Sequence, residues 1–229
     1  MERKVNFEKD EFYHIYNRGV EKRLIFQKAT DYKRFLALLY LANSDKKIQF
    51  RNDFSKISLN EIFQQDRGEL LVAIGAYCLM PNHFHLLLTP LLKGGISKFM
   101  LKLQTGYSMY FNKKNERVGA LVQGIFKSRH IDNDGYLRYI CSYIHLNPAK
   151  LKNSKWKTQS KSFLKQLKKF IAEYPYSSLQ EYLSKDYKII NPKPFPVEIK
   201  SITNYNTIVE DFSDVGELSE GNPREYRGT

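Results

Sequence analysis

The segment from Leu70 to Thr89 is the most apolar part of the sequence, and it constrains the fold more than any other feature. It is rich in Leu, Val, Ile and Tyr, and it is interrupted by Gly75 and Pro81. Its longest nearly apolar run, Leu70 to Met80, is far shorter than the roughly 20 residues that a membrane-spanning helix needs. The segment therefore predicts two buried strands with a bend at Met80-Pro81-Asn82.

Strand and helix patterns alternate on both sides of this segment. Phe12 to Asn17 is typical of a short aromatic strand, and Asp31 is expected to be the N-cap of the helix that follows it. Gly94-Gly95 precedes a long amphipathic helix, Gly119 to Ile131 returns to a strand pattern, and a last helix runs from about Gly135 to Leu146. This order predicts an α+β domain in which helices pack mainly on one face of an antiparallel sheet.

The charge of the chain is strongly positive and unevenly distributed. Lys and Arg total 37 against 24 Asp and Glu, which gives a net charge of +13, and the chain contains 16 Tyr and 15 Phe. From Asn191 onward, seven acidic residues oppose four basic ones, so residues 1–190 carry +16. A basic and aromatic chain is typical of nucleic-acid-binding proteins, although a basic enzyme with a solvated lysine surface has the same composition. We expect one domain over residues 1–190 and a loosely ordered, acidic, proline-containing tail over residues 191–229.

Cysteine usage and the N-terminal residues indicate the compartment. Two cysteines, Cys78 and Cys141, cannot form a disulfide framework, and the sequence contains no Cys-x-x-Cys motif. The segment from Met1 to Asp10 is charged and lacks the apolar region of a secretory signal. These features predict a soluble, cytoplasmic protein that has no membrane partner.

Two histidines in the second predicted strand are candidate metal ligands. Successive strand residues point to opposite faces, so His83 and His85 share one face while Phe84 and Leu86 are buried on the other. Two imidazoles and an oxygen ligand suit a divalent cation that keeps open coordination positions. The pair alone is a short pattern and also fits an ordinary strand. His14 is interpreted as structural.

The last predicted helix offers a nucleophile and a third ligand. Tyr143 and Asn147 are four residues apart and share a helix face, with Tyr139 one turn earlier. A tyrosine can accept a phosphoryl group, and an asparagine carbonyl can bind a metal ion. The alternative is a helix whose tyrosines pack on the sheet with their hydroxyls at the surface. His145 is expected to point away from the face of Tyr143.

Basic residues suggest where a nucleic acid would bind. Eight lysines and no acidic residue lie between Lys150 and Phe170, in front of an apolar stripe, which predicts a basic helical extension at about residues 150–173. Its lysines would contact phosphates or form a solvated face, and the sequence leaves both readings open. The candidate phosphate contacts are Arg18, Lys127, Arg129, Lys161, Lys165 and Lys168.

Five short motifs follow one another along the chain. They are Tyr13-His14-Ile15-Tyr16-Asn17-Arg18-Gly19, Met80-Pro81-Asn82-His83-Phe84-His85-Leu86-Leu87, Gln123-Gly124-Ile125-Phe126-Lys127-Ser128, Tyr143-Ile144-His145-Leu146-Asn147-Pro148 and Tyr176-Ser177-Ser178. In this order they resemble the motifs of the REP-associated tyrosine transposases, a branch of the single-tyrosine HUH transposases. The resemblance covers about Phe12 to Tyr182.

This resemblance implies a fold and a reaction. The fold would be ferredoxin-like, related to the RNA-recognition-motif (RRM) fold. His83, His85 and Asn147 would bind Mg²⁺ or Mn²⁺, and Tyr143 would attack a phosphodiester of single-stranded or hairpin DNA. Attack would leave a 5′-phosphotyrosine and a free 3′-hydroxyl, and the reverse attack would rejoin strands without ATP. With one nucleophile per chain, strand exchange needs either a homodimer or two sequential events.

Two other functions fit parts of the pattern. One is a nucleic-acid-binding regulator on the same fold that leaves the chemistry unused. The other is a metal-dependent hydrolase with water as its nucleophile, which would not need Tyr143. The sequence does not decide whether Tyr143 serves the metal site of its own chain or of a partner.

Overall fold

Four strands form one antiparallel sheet in the computed structural model, which describes residues 6–46, 57–196 and Ile199. The strands are β1 (Phe12–Arg18), β2 (Val72–Met80), β3 (His83–Pro90) and β4 (Lys127–Ile131), and they are ordered β2-β3-β1-β4. The predicted bend at Met80-Pro81-Asn82 is the tight connection of the β2–β3 hairpin, in which Met80 pairs with His83.

The described residues form seven α-helices around this sheet. Three helices precede β4: α1 (Ala29–Leu41), α2 (Leu59–Ile62) and α3 (Gly95–Lys114). Four follow it: α4 (Asp134–Leu146), α5 (Ala149–Lys152), α6 (Lys161–Ala172) and α7 (Leu179–Ser184). Within these described residues, no helix is long and apolar enough to cross a membrane.

The two faces of the sheet have different coverings. On one face, the ring centroid of Phe84 lies 5.1 Å from that of Phe35 in α1, and Phe35 lies 5.0 Å from Tyr107 in α3. The element order β1-α1-β2-β3-α3-β4, with this strand order, is ferredoxin-like, so the predicted α+β fold is confirmed. The additional helix α4 lies on the opposite face, where Tyr143 contacts His85.

The outer edge of β2 is covered by the segment Tyr174–Ser178. The backbone N–H of Leu79 donates to the carbonyl of Tyr176 at 2.9 Å. The N–H of Ser178 donates to the carbonyl of Tyr77 at 3.0 Å. Unpaired backbone groups at a sheet edge invite pairing with other chains, and this segment occupies them. Every residue of β2 is therefore buried although β2 is the last strand of the sheet.

The first residues of the predicted tail pack against the same strand. The N–H of Asn191 donates to the carbonyl of Ile74 at 2.9 Å. The buried ring of Phe195 lies against Gly75, where an added Cβ would come within 2.6 Å of it. A bulge shifts the β2–β3 register at this glycine. Residues 191–196 thus differ from the loose order expected for the tail, and residues 197–198 and 200–229 lie outside the described residues.

The prediction that Asp31 is the N-cap of α1 is wrong, because Asp31 is the third residue of that helix. Its Oδ2 accepts hydrogen bonds from the backbone N–H groups of Gln27 and Lys28, both at 2.9 Å. Its Oδ1 accepts from the Tyr110 hydroxyl at 2.9 Å and from Lys114 Nζ at 2.5 Å. A carboxylate at this position bonds backward to the N–H groups that precede the helix. Asp31 therefore also joins α1 to α3.

β4 is shorter than the predicted strand from Gly119 to Ile131. Gly119 and Gly124 have φ angles of +91° and +61°, in the left-handed region that glycine adopts readily. These turns interrupt extended backbone, so regular pairing with β1 begins only at Lys127. The five residues of β4 lie beside β1 at the edge of the sheet.

The basic extension is helical but discontinuous. α5 ends at Lys152, because the next residue, Asn153, has extended φ and ψ angles of −157° and 126°. α6 begins after Ser160, whose hydroxyl accepts a hydrogen bond from the N–H of Phe163 and caps the helix. Leu167 and Ile171 of α6 are buried and its lysines are exposed, as the amphipathic pattern predicts.

Candidate active site

His83 and His85 lie side by side on the face of β3 that α4 covers. Their ring centroids are 5.1 Å apart and their planes are nearly perpendicular. Phe84 and Leu86 are fully buried on the other face, as the alternation of strand side chains requires. His85 is buried, whereas His83 is partly exposed, so the pair is reachable from solvent on the side of His83.

The Nδ1 atoms of both histidines have hydrogen-bond partners. Nδ1 of His83 is 2.6 Å from Oδ1 of Asn82, and the amide of Asn82 is oriented by donation from Nδ2 to the carbonyl of Lys22 at 3.2 Å. His83 is therefore the donor to Asn82, which leaves the lone pair of a neutral ring on Nε2. Nδ1 of His85 is 2.9 Å from Nε2 of His14, a buried residue of β1.

α4 carries Tyr143 to these histidines. Asn133 caps the helix by accepting a hydrogen bond from the N–H of Tyr136 at 2.7 Å, and Ile140 and Ile144 anchor its buried face. The ring centroid of Tyr143 is 5.4 Å from that of His85 and 6.1 Å from that of His14. A tyrosine, two candidate metal ligands and a further histidine of one chain therefore meet at one place.

Asn147 has a side-chain carbonyl oxygen, the kind of atom that can serve as a third metal ligand. Its Nδ2 donates to the backbone carbonyl of Tyr143 at 2.8 Å. Its Oδ1 is buried and has no hydrogen-bond donor within the part of the chain that the structure describes. A buried carbonyl without a partner is costly unless a cation or water satisfies it, so Asn147 fits a metal site. Among residues 6–46 and 57–196, no group of three His, Cys, Asp or Glu residues could hold a metal ion, and the candidate third ligand remains the amide oxygen of Asn147.

The three predicted sheet cations share the histidine face. In the antiparallel register, Arg18 lies opposite His83, and Arg129 lies opposite His14. Lys127 lies opposite Tyr16, with its Nζ 6.0 Å from the ring centroid. Directly opposed residues project from the same face of a sheet, so these cations surround the histidines with positive charge.

Comparison with known families identifies the chain. A family model described as "Transposase IS200 like" matches residues 13–147, which is more than half of the sequence. The chain belongs to the IS200-like transposase family. The match begins in β1 and ends at Asn147, so it spans both histidines and the tyrosine helix. A search of curated proteins finds no match for this transposase.

A solved structure has the same fold as this transposase. It is described as a REP-associated tyrosine transposase bound to a REP hairpin, and the two folds superpose with a TM-score of 0.50. The similarity covers 82% of this chain and 89% of the other, at 14% sequence identity, which supports a shared fold. Together with the family match, it confirms the resemblance that the five motifs indicated.

Lys150 is a residue of the site that sequence reasoning did not single out. Its Nζ lies 5.0 Å from the ring centroid of Tyr143. The charge of Lys150 adds to those that hold down the pKa of His83 and His85, after the larger effect of burial. The spacing from Tyr143 through Asn147 to Lys150 is helical, and α5 resumes the helix directly after Pro148. That spacing was the signal that could have found it.

α4 of this transposase is fastened to the sheet by a buried pair behind Tyr143. Nε2 of His145 lies 2.8 Å from Oγ of Ser178, and the N–H of Tyr77 donates to the same Oγ at 2.9 Å. His145 and Ser178 are fully buried, so this contact positions the helix and does not face a substrate. The expectation that His145 points away from the face of Tyr143 is confirmed.

The lysines predicted to bind DNA on the extension are exposed. Lys161, Lys165 and Lys168 lie on α6, which packs against α5, and thus follow the helix of Tyr143 and Asn147 along the chain. Their spacing of four and three residues puts them on one side of α6. The geometry allows phosphate contacts and also a solvated face, so these three roles stay predictions.

Buried histidines should make the metal-free protein sensitive to mild acid. Burial lowers the pKa of His14 and His145 to about 3, so both stay neutral in the folded state while they take up protons in the unfolded state below about pH 6.5. The free energy of unfolding should then fall as pH falls from about 6.5 towards 4, by up to about 1.4 kcal/mol per pH unit for each group. Glu181 opposes this trend, because burial raises its pKa.

Urea unfolding at pH 7 and pH 5, in the presence of EDTA, measures this effect. We expect a clearly lower urea midpoint at pH 5. Equal or greater stability at pH 5 would contradict the burial of neutral histidines around the site.

Proposed function

We propose that this transposase cleaves and rejoins single-stranded, hairpin-associated DNA through a 5′-phosphotyrosine on Tyr143. His83, His85 and Asn147 would hold a Mg²⁺ or Mn²⁺ ion. The observation that carries the proposal is the 5.4 Å contact between the rings of Tyr143 and His85. The family assignment and the unpaired carbonyl of Asn147 support it.

The metal ligands, Tyr143 and Lys150 would have different roles in the reaction. When bound, the dication would draw charge from the non-bridging phosphate oxygens and favour the phenolate. The Tyr143 hydroxyl gives up its proton and its oxygen attacks the phosphorus. The bond between phosphorus and the 3′ oxygen breaks, the 3′ oxygen takes up a proton to leave as a hydroxyl, and the 5′ phosphate stays on the protein. One phosphate ester replaces another, so a 3′-hydroxyl can reverse the attack and rejoin strands. Lys150 adds positive charge 5.0 Å from the ring that becomes anionic.

The contact within one chain supports cleavage in cis. Tyr143 touches His85 and His14 of its own chain, and His145 and Ser178 fasten its helix to its own sheet. A single chain thus brings the proposed nucleophile into contact with His85, one of its own proposed ligands. A homodimer would serve strand exchange between two cleaved ends rather than the cleavage of one.

Positively charged side chains on the histidine face of the sheet support DNA as the partner. Arg18, Lys127 and Arg129 project beside the histidines, where they would neutralise phosphates that flank the cleaved bond. The similar solved structure is bound to a hairpin. We therefore propose a hairpin with a single-stranded flank as the substrate, held along this face.

A covalent adduct assay tests the proposal. The protein is mixed with Mn²⁺ and end-labelled single-stranded DNA taken from beside its gene, with the predicted hairpins included. A denaturing gel should show labelled DNA that migrates with the protein and that is lost on protease treatment. DNA that is bound but never cleaved would favour a binding regulator, and free cleaved ends without any adduct would favour a hydrolase.

Charge reversal on α6 tests the role of the extension. Lys161→Glu, Lys165→Glu and Lys168→Glu together should weaken binding of single-stranded DNA. Each lysine that no longer neutralises a phosphate lowers the slope of log K against log salt by roughly 0.7, so the slope should fall by about 2. The measurement is a binding isotherm at four salt concentrations.

A matched control keeps the net charge of that variant. Lys33, Lys98 and Lys113 are exposed lysines of α1 and α3, the helices on the opposite face of the sheet. Their reversal to Glu should leave the slope nearly unchanged. If both triple variants change the slope equally, the α6 lysines act only through net charge and form a solvated face.

A further inference from the structure

We propose that His14 is a positioning residue for metal binding, which holds His85 in the tautomer that places its lone pair on Nε2. The inference rests on the proposed function in that it takes His85 to be a ligand. Neither the sequence around His14 nor the family match indicates this role. The observation is the 2.9 Å separation of His14 Nε2 and His85 Nδ1, both in buried rings.

The two neighbouring histidines have matching surroundings. Asn82 accepts a hydrogen bond from Nδ1 of His83, which fixes the tautomer of that ring. His14 occupies the corresponding position at Nδ1 of His85. If His85 donates from Nδ1 as His83 does, Nε2 of both rings carries a lone pair and both can bind one ion. A hydrogen-bond acceptor at the ring nitrogen that does not bind the metal fixes the orientation and tautomer of a metal-binding histidine.

The reverse direction of the hydrogen bond would disable the site. If His14 donated to His85, Nδ1 of His85 would be the acceptor and Nε2 would carry the proton. A protonated Nε2 cannot bind a metal ion, so His83 would remain as the one imidazole ligand. His14 cannot replace His85 as a ligand through Nε2, because that nitrogen is already engaged at 2.9 Å.

The arrangement of strands explains why His14 can take this part. His14 is on β1, two residues before Tyr16, which lies directly opposite His85. The two histidine rings are therefore diagonal neighbours on one sheet face, and their centroids are 5.1 Å apart. Burial excludes water from both, so each ring nitrogen that faces the other depends on it for a hydrogen bond.

The tautomer can be measured without metal. Selective ¹⁵N labelling of the five histidines, followed by long-range ¹H–¹⁵N correlation spectra in EDTA, reports which ring nitrogen is protonated. We expect Nδ1–H for His85 in the wild-type protein, and a shift towards Nε2–H in His14→Phe, which keeps a ring but removes the acceptor. An Nε2–H tautomer for His85 in the wild-type protein would overturn the proposal.

Mn²⁺ affinity provides the second readout. By calorimetry, His14→Phe should bind Mn²⁺ about 10- to 100-fold more weakly, the usual effect of removing such a partner. His14→Gln, whose carbonyl can accept from Nδ1, should recover most of the affinity. His130→Phe, on the exposed side of neighbouring β4, is the control and should change nothing.

The outcomes separate this inference from the proposed function. Wild-type affinity for Mn²⁺ in His14→Phe would overturn the role of His14. A wild-type protein that binds no Mn²⁺ but shows the Nδ1–H tautomer at His85, absent in His14→Phe, would support the hydrogen-bond direction while refuting the metal site of the proposed function.

Discussion

Tyr143→Phe should abolish the covalent protein–DNA adduct, with a loss of more than about 1,000-fold in cleavage rate. The substitution removes one oxygen atom, the proposed nucleophile, and leaves the ring in place between His85 and Lys150. Packing of α4 should survive because Ile140 and Ile144 anchor it. Affinities for Mn²⁺ and for single-stranded DNA should stay within a few-fold of the wild-type values, as measured by calorimetry and fluorescence anisotropy.

Tyr139→Phe is the matched control for this variant. Tyr139 is on the same helix face, with its ring centroid 6.3 Å from that of Tyr143. The substitution removes the equivalent hydroxyl oxygen, that of Tyr139. It should retain the adduct at nearly the wild-type level. Normal cleavage without adduct in Tyr143→Phe would indicate water as the nucleophile. An adduct that depends on Tyr139 instead would keep the class of reaction but refute the assignment of Tyr143.

His83→Ala, or EDTA, should reduce cleavage by at least about 100-fold, because the proposed site would lose a ligand or its ion. His83 is the better probe of the pair, since it is partly exposed and its replacement leaves a smaller internal cavity. His85→Ala should be at least as damaging for cleavage, but it also removes the partner of buried His14. Cleavage is measured with labelled DNA, and folding by circular dichroism.

A surface histidine provides the control for that prediction. His130→Ala removes an exposed imidazole on β4 that pairs with Glu11, and it should leave both Mn²⁺ affinity and cleavage unchanged. Cleavage by the wild-type protein in EDTA at the full rate would refute a metal-dependent mechanism, whatever the variants show.

Local spacing predicted the parts of the site that lie within one element. The alternation of β3 places His83 and His85 on one face, and the helical period places Tyr143 and Asn147 together, because backbone geometry alone sets these relations. The strand and helix order gave the α+β class for the same reason. Asp31 was misjudged since an acidic residue suits both the N-cap and the third helical position, and only the hydrogen bonds to Gln27 and Lys28 distinguish them.

Relations between distant segments could not be predicted in this way. His14 meets His85 only because β1 pairs with β3 in one particular register, and a shift by one residue would move it to the other face. Phe195 fills the space that Gly75 leaves, which is a fit of side-chain shape that no period in the sequence encodes.

Mapping the adduct tests the central claim most directly. Wild-type protein is allowed to react with single-stranded hairpin DNA and Mn²⁺, digested with nuclease and protease, and analysed by tandem mass spectrometry. We predict a nucleotide linked through its 5′ phosphate to the Tyr143 side chain, on a peptide that also contains Asn147. A nucleotide on any other residue, or no nucleotide on protein that has visibly cleaved its DNA, would contradict the account.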